Sequence, residues 1–329
     1  MTVLVTGGAG YIGSHAVKQL RDAGRDVVVI DSLARGHHQS VPADVPFYQC
    51  SLSDEGQIAL IMILHGVEEV LHFAAYAYVG ESVDDPLMYY ENNTAGTISL
   101  LLTMQFVGVK RLVFSSTCAT YGQPESVPIT EQTPQTPINP YGHSKLMVEQ
   151  ILRDLVKSDA EWSVTSLRYF NVAGCAEDGS LGAAHDPETR VLLLAIKAAL
   201  RMRESFTIFG NDYDTPDGTC IRDYIHVDDL SRAHLLALER LTPGEYQVYN
   251  LGIGRGFSVQ EVVDSVERVT GQTVPVVMGD RRAGDPPVLY ADASKIQSTL
   301  GWQPKFTELD DIVTTAWNWM EAHPSGYGE

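Results

Sequence analysis

Tyr141 and Lys145, in the stretch Asn139-Pro-Tyr-Gly-His-Ser-Lys145, stand four residues apart. On a helix that spacing sets one side chain above the other on a single face. A phenol is a poor base at neutral pH, because its ordinary pKa is about 10. An ammonium beside it favours the phenolate, and a shift of about three units takes roughly 4 kcal/mol of differential interaction. Such a pair can move a proton on or off a sugar or alcohol hydroxyl. Alone the spacing proves little, since Tyr and Lys fall four apart in many helices by chance. It becomes chemistry where a hydride-accepting cofactor can be held nearby.

The first fifteen residues, Met1-Thr-Val-Leu-Val-Thr-Gly-Gly-Ala-Gly-Tyr-Ile-Gly-Ser-His15, meet that requirement. Thr2 to Thr6 is a short β-branched, apolar run, and helical spacing follows at Ile12, Ala16 and Leu20, closing at Gly24. Gly7, Gly10 and Gly13 fall at the strand-to-helix turn. There glycine permits a tight turn, close approach of a pyrophosphate and packing of helix on sheet. A second strand, Asp26 to Asp31, ends in a carboxylate placed for the hydroxyls of an adenine ribose. That charge repels a 2′-phosphate, so NAD is favoured over NADP, although Arg35, His37 and His38 follow closely and leave NADP open. A loop that merely needs permissive backbone is the plainer reading of the glycines. Strand, glycines, helix and distal acid in register argue against it.

These groups need a frame. Further strands are expected at 45–50, 69–73, 112–116 and 164–168, and helices at 55–64, 86–106 and 140–156. The alternation implies an α/β fold: a Rossmann-type doubly wound parallel sheet covered on both faces. Pro140 suits a first helical turn and puts Tyr141 near the helix's partial positive charge. After Asn171 the texture is more irregular. A long loop at 174–187, helices at 189–202, 228–240, 294–300 and 310–320, and a return strand at 248–251 are expected. Ser258 with Glu261 forms a capping box that starts a helix to about Thr270, followed by a strand at 274–277. This gives a smaller, mixed α/β C-terminal substrate lobe. The expected division is a cofactor domain over 1–171 with about 223–256, and a substrate lobe over 172–222 and 257–329.

The 329 residues suffice for two lobes, and a net charge of −19 argues against nucleic acid or an anionic membrane surface as partner. An anionic substrate must then meet a local basic cluster. Cys50, Cys118, Cys175 and Cys220 lie far apart, with no spacing suited to a metal or a disulfide framework, so no metal is expected. The reduced cysteines, the lack of a signal peptide before the first strand and apolar runs too short for a bilayer suggest a cytoplasmic protein.

Phe114-Ser-Ser-Thr-Cys-Ala-Thr-Tyr-Gly122 follows the expected fifth strand. Ligands of open α/β sheets bind beyond the strands' carboxyl ends, so a hydroxyl there could bond the reacting oxygen and relay its proton to Tyr141. Local packing or capping competes as an explanation for Ser115 and Ser116 more than for Thr117. With these motifs, His72-Phe-Ala-Ala-Tyr76, Val79-Gly-Glu-Ser-Val83, Tyr89-Tyr-Glu-Asn-Asn93 and Leu167-Arg-Tyr-Phe-Asn-Val-Ala-Gly174, the chain resembles the extended short-chain dehydrogenase/reductase family. Ile208-Phe-Gly-Asn-Asp-Tyr213, Asp217 to Val227 and Arg281-Arg-Ala-Gly-Asp-Pro286 extend the likeness to nucleotide-sugar 4-epimerases over nearly the whole chain.

The resemblance implies NAD-dependent interconversion of UDP-galactose and UDP-glucose through a 4-keto sugar, in a homodimer paired through helices 86–106 and 140–156. It assigns the catalytic trio to Thr117, Tyr141 and Lys145. It assigns cofactor contacts to Gly7, Gly10, Tyr11, Ile12, Gly13, Asp31, Ser32, Leu33, Gly36, Ser51, Leu52, Phe73, Ala74, Ala75, Asn92 and Phe170, with Tyr141 and Lys145. UDP-sugar contacts fall on Thr117, Asn171, Arg190, Val191, Phe209, Arg222, Tyr224, Arg282 and Asp285. Fork-shaped Arg222 and Arg282 suit a diphosphate, and Phe209 could pack on uracil. A single arginine is ordinarily a surface ion pair; two within matching motifs reverse that preference.

Four positions depart from the family pattern. Ser51 stands where an aspartate often meets adenine and Ala77 where a lysine often reaches the cofactor, which bears on NAD retention. Arg190-Val191 replaces a common Asn-Leu or His-Leu pair. Leu289 is intermediate between a tyrosine that narrows the sugar pocket and a small residue that admits N-acetyl sugars. Cys118 reads as a small buried filler and His226 as structural, between apolar Ile225 and Val227. A pentose, uronate or N-acetylhexosamine 4-epimerase is the near alternative, and a non-catalytic NAD or nucleotide-sugar sensor the distant one. Elimination, as in 4,6-dehydratases, needs an acidic pair where Cys118-Ala119 stand.

Overall fold

Residues 1–282 and 285–328 are described by a computed structural model. Strand β1 (Thr2–Thr6) is buried from Val3 onward, as are β2 (Asp26–Asp31) after its first residue and β5 (Arg111–Thr117) after Arg111. Continuous apolar runs of this kind belong to strands covered on both faces. With β3 (Phe47–Gln49), β4 (Val67–His72), β6 (Ser163–Tyr169) and Tyr246–Leu251 they form a seven-stranded sheet. The order is Tyr246–Leu251, β6, β5, β4, β1, β2, β3, and the pairs β1–β2, β1–β4, β2–β3 and β4–β5 are parallel. From β1 the chain moves outward through β2 to β3, then crosses to β4 on β1's other side. The crevice at this reversal is where such sheets hold ligands. The doubly wound α/β fold is therefore as the sequence implied.

Helix α1 (Tyr11–Asp22) follows the glycine turn, and helix α2 (Glu55–Leu64) spans the expected 55–64. Gly24 takes φ +72 just past α1, a left-handed turn that favours glycine. The helix expected over 86–106 is interrupted. Pro86–Tyr89 and Gly96–Val107 are α-helical, and Tyr90–Ala95 between them is a π-helical turn. Its cause is long-range: Asn93 accepts the Tyr76 N–H at 2.8 Å and donates to the Tyr76 carbonyl at 3.0 Å and to Ser144 Oγ at 3.1 Å.

The chain divides into two compact units: Met1–Gly122, Pro134–Arg168 and Ser231–Tyr249 in one; Gln123–Thr133, Tyr169–Leu230 and Asn250–Glu329 in the other. Ser231–Tyr249 returns to the first, and in the second Tyr224–His226 pairs in parallel with Asn171–Ala173. The second unit also holds a three-stranded sheet, Phe257–Ser258, Ile221–Arg222 and Val288–Leu289, and the pair Phe206–Phe209 with Val276–Gly279. Phe206–Phe209 was not legible as a strand, and its partner lies two residues later than the expected 274–277. The Ser258–Glu261 capping box is formed. His226 is fully buried, stacked on Phe306 at 3.8 Å and bonded to Thr315, which is a packing role. Among the described residues no helix is long and apolar enough to cross a membrane.

Candidate active site

The cofactor cradle grows from the end of β1. Gly7 takes φ +70, and a Cβ on Gly13 would sit 2.1 Å from the Gly7 carbonyl oxygen, so both positions must be glycine. Gly10 caps the start of helix α1 without a side-chain bond, and the first turn holds no acidic residue. The partial positive charge of this helix start, with no acidic side chain to offset it, fits the diphosphate of a dinucleotide. Tyr11 and Gly13 are buried beside the turn, with Ile12 half-buried.

Asp31 closes the far side. Its carboxylate accepts the N–H of Ala9 at 3.0 Å and of Leu33 at 2.8 Å. Burial raises its pKa, against the lowering effect of these two bonds. Asp31 thus ties the glycine turn to the end of β2. Leu33 is held at φ 59, a strained left-handed conformation for a branched side chain. Ser32 and Ser51 are exposed, Gly36 is half-buried and Leu52 is buried against Gly96. Beyond β4, Phe73, Ala74 and Ala75 line the crevice edge, with Ala74 N close against Gly7. Asn92, in the π-helical turn, donates to Asn93 at 2.9 Å. Phe170 is buried and belongs to the second unit.

The helix that carries Tyr141 and Lys145, Pro140–Ser158, is capped by Asn139, whose side chain accepts the Gly142 N–H at 2.8 Å. Pro140 takes the first position and Tyr141 the second, inside the positive end of the helix. Its start packs against the 118–121 turn so closely that a Cβ on Gly142 would meet the Ala119 carbonyl at 2.6 Å. One turn on, Lys145 is buried. Its Nζ donates to the Ser115 carbonyl at 2.9 Å and lies 4.8 Å from the Phe114 ring centre. Thr117 ends β5 two residues beyond Ser115. Its hydroxyl accepts the Ala119 N–H at 3.1 Å and so keeps its own proton to donate. Thr117, Tyr141 and Lys145 are therefore gathered at the carboxyl end of β5. Cys118 is only half-buried, so the expectation of a buried filler is corrected.

Burial pushes Lys145 down to about 7, partly opposed by the negative charge of Glu149. Near neutral pH ammonium and amine are thus comparably populated, rather than the permanent cation the spacing suggested. Burial, then Lys145, holds nearby His72 down to about 3, and its neutral ring bridges Thr6 at 2.7 Å and Thr97 at 2.9 Å.

Sequence reading missed the scaffold beneath. Glu149, one turn after Lys145, accepts Arg168 Nε at 2.8 Å and Ser116 Oγ at 2.6 Å, and Arg168 donates to Tyr121 Oη at 2.8 Å. Glu149, Ser116 and Tyr121 are fully buried and Arg168 nearly so. The visible signal was a charge of each sign on otherwise apolar faces. Ser116 is thereby structural.

In the second unit, Arg282 bonds Asp285 at 2.7 Å and lies 5.1 Å from the Phe209 ring centre, while Arg222 stands 3.8 Å from Asp285. Phe209 is 41% exposed. Tyr224 is buried opposite Asn171 in the strand pair, and its hydroxyl has no partner among the described residues. Burial raises its pKa. Arg190 precedes the helix starting at Val191 and pairs with Glu188 and His185 rather than with the Arg222–Arg282 cluster. Leu289 lies opposite Arg222 in the three-stranded sheet.

A sheet wound this way, with a Tyr–Lys pair at the carboxyl end of its fifth strand, defines a Rossmann-type dinucleotide-dependent enzyme class. The model of the NAD dependent epimerase/dehydratase family matches residues 3–252, and the chain belongs to that family. UDP-glucose 4-epimerase of Lactobacillus helveticus is 49% identical over 328 residues, covering 99% of both chains. The crystal structure of UDP-glucose 4-epimerase from Brucella ovis in complex with NAD is similar at a TM-score of 0.93, with 47% identity and coverage of 96% of this chain and 97% of that one. That from Bifidobacterium longum in complex with NAD+ and UDP gives a TM-score of 0.95 at 39% identity, covering 99% and 100%.

Proposed function

We propose that the protein interconverts UDP-galactose and UDP-glucose, using NAD to remove and return the hydrogen at sugar C4. The observation that carries this is the buried Lys145, clamped on the Ser115 carbonyl one helical turn from Tyr141. NAD, which the glycine turn and the start of α1 would hold, would supply hydride acceptance and return. Tyr141 takes the proton of the sugar 4-hydroxyl and later gives it back, with Thr117 donating a hydrogen bond to the same oxygen. The protonated fraction of Lys145 biases Tyr141 toward phenolate. Between the two half-reactions the 4-keto sugar turns over while its UDP stays bound.

The UDP end is assigned to Phe209, Arg222, Arg282 and Asp285. Phe209 covers the uracil, the arginines meet the diphosphate, and Asp285 orients both guanidinium groups. Asn171, Arg190, Val191 and Tyr224 complete the substrate contacts. In this reading 1–171 with about 223–256 serves the cofactor and the remainder the UDP-sugar. The protein acts in the cytoplasm as a homodimer. The stripe Ile98, Leu102 and Phe106, exposed at 40%, 53% and 80%, with Met147 at 45%, supports pairing through the helices that carry them.

UDP-galactose deuterated at sugar C4 tests the reaction. UDP-glucose retaining the label is expected; loss of label to water, or a 4-keto-6-deoxy product, overturns the assignment.

A further inference from the structure

The first unit contains a contact that none of this chemistry uses. Strand β1 lies between β4 and β2, so the loops after β4 and β2 flank the glycine turn that follows β1. Both touch it. A Cβ on Gly7 would sit 2.6 Å from Ala74 N, and one on Gly36 would sit 2.9 Å from the Ala9 carbonyl carbon. His37 N–H donates to the Ala9 carbonyl at 2.9 Å. From these two banks, Arg35 and Glu81 reach each other across the turn and form an ion pair at 2.5 Å.

An exposed ion pair ordinarily contributes about 0–1 kcal/mol. This one is built more firmly. The two side chains are only 31% and 30% exposed. The Arg35 guanidinium lies 4.9 Å from the Tyr78 ring centre and 5.9 Å from that of Tyr76. The hydroxyl of fully buried Tyr89 lies 2.8 Å from the second oxygen of Glu81 and 2.7 Å from the Tyr78 carbonyl, so these two acceptors share its one proton. Tyr89 in turn meets the Tyr141 ring edge-on at 6.4 Å. Glu81 is thus anchored from below while it holds Arg35 from above, and the anchor reaches the proposed base.

We propose that Arg35 and Glu81 form a latch closed across the glycine turn, and that this latch sets how slowly NAD leaves the protein. The inference rests on the NAD reading above. A dinucleotide held at the helix start would leave between these two banks, so its departure would require them to part. Arg35, which by sequence could have welcomed a 2′-phosphate, is engaged by Glu81. The latch also offers firm retention by a route that needs neither an aspartate at Ser51 nor a lysine at Ala77.

The test loads purified protein with radiolabelled NAD+, chases with excess unlabelled NAD+, and follows label remaining on protein. Arg35→Gln and Glu81→Gln should each release NAD about tenfold faster than the parent. The double variant should be no faster than the faster single, because one contact is lost in either case. Arg35→Lys, which keeps the charge but not the fork, should fall between. Release at the parent's rate in both single variants, or effects that multiply fully in the double, overturns the latch alone. A parent that takes up no NAD overturns the cofactor reading and the latch with it.

Discussion

Replacing Lys145 with methionine should make the cofactor-free protein more stable near neutral pH while removing turnover. Burial brings the amine from its ordinary 10.5 down to about 7. Below about pH 7 the side chain is protonated in the folded and the unfolded chain, and the whole burial cost opposes folding. Above it the folded chain releases the proton while the unfolded chain holds it to about 10.5, so the cost fades and stability rises with pH. A difference of about 3.5 units corresponds to roughly 5 kcal/mol at low pH and about 4 kcal/mol at pH 7. Methionine has nearly the same length and keeps a thioether near the Phe114 ring. It gives up the bond to the Ser115 carbonyl, a loss of about 1–3 kcal/mol. The net gain at pH 7 is then about 1–3 kcal/mol, shrinking by about 3 kcal/mol at pH 9.5. Urea unfolding of both proteins at the two pH values measures it. A variant less stable at pH 7, or a stability difference that is the same at both pH values, refutes the reasoning.

Tyr141→Phe should retain NAD with near-parent affinity and lose at least a hundredfold in turnover, because general acid–base help contributes about 10²–10⁴. Near-normal turnover removes Tyr141 as the base. Gly13→Ala forces a methyl within 2.1 Å of the Gly7 oxygen, so NAD titration should show binding lost or greatly weakened. Arg222→Leu should raise the UDP dissociation constant about tenfold or more by calorimetry, and leave NAD affinity in place. Glu149→Leu strands Arg168 in the interior and should cost about 3–5 kcal/mol in unfolding experiments; the double variant Glu149→Leu/Arg168→Met should recover most of it.

What the chain disclosed beforehand was whatever its neighbours in sequence determine. The Ser258–Glu261 box depends on residues three apart, and it stands where that rule puts it, while α2 spans its expected residues. The strand–glycine–helix unit is local in the same sense. The π-helical turn at Tyr90–Ala95 is different. Nothing within its own helix calls for it, because Asn93 is recruited by Tyr76 and Ser144, 17 and 51 residues away. Phe206–Phe209 becomes a strand only by pairing with Val276–Gly279, so its short run gives no sufficient signal alone. The site divides likewise. Motifs point to Tyr141 and Lys145, whereas the near-neutral titration of Lys145 comes from burial among β4, β5 and its own helix.

That burial explains the charges beneath the helix. A lone buried amine is driven toward its neutral form, which would leave Tyr141 without an electrostatic partner. Glu149, one turn below, opposes the shift, but a solitary buried carboxylate would itself be driven neutral. Arg168 bonds Glu149 through two nitrogens while turning its third toward Tyr121. The compensation is therefore graded along one helix face, from a full ion pair at Glu149 to an amine poised near pH 7 at Lys145, with Tyr141 at the helix's positive end. Each step makes the next possible, so the reactive position draws on residues ten or more ångströms' worth of helix away (about 1.5 Å per residue) without their touching the substrate.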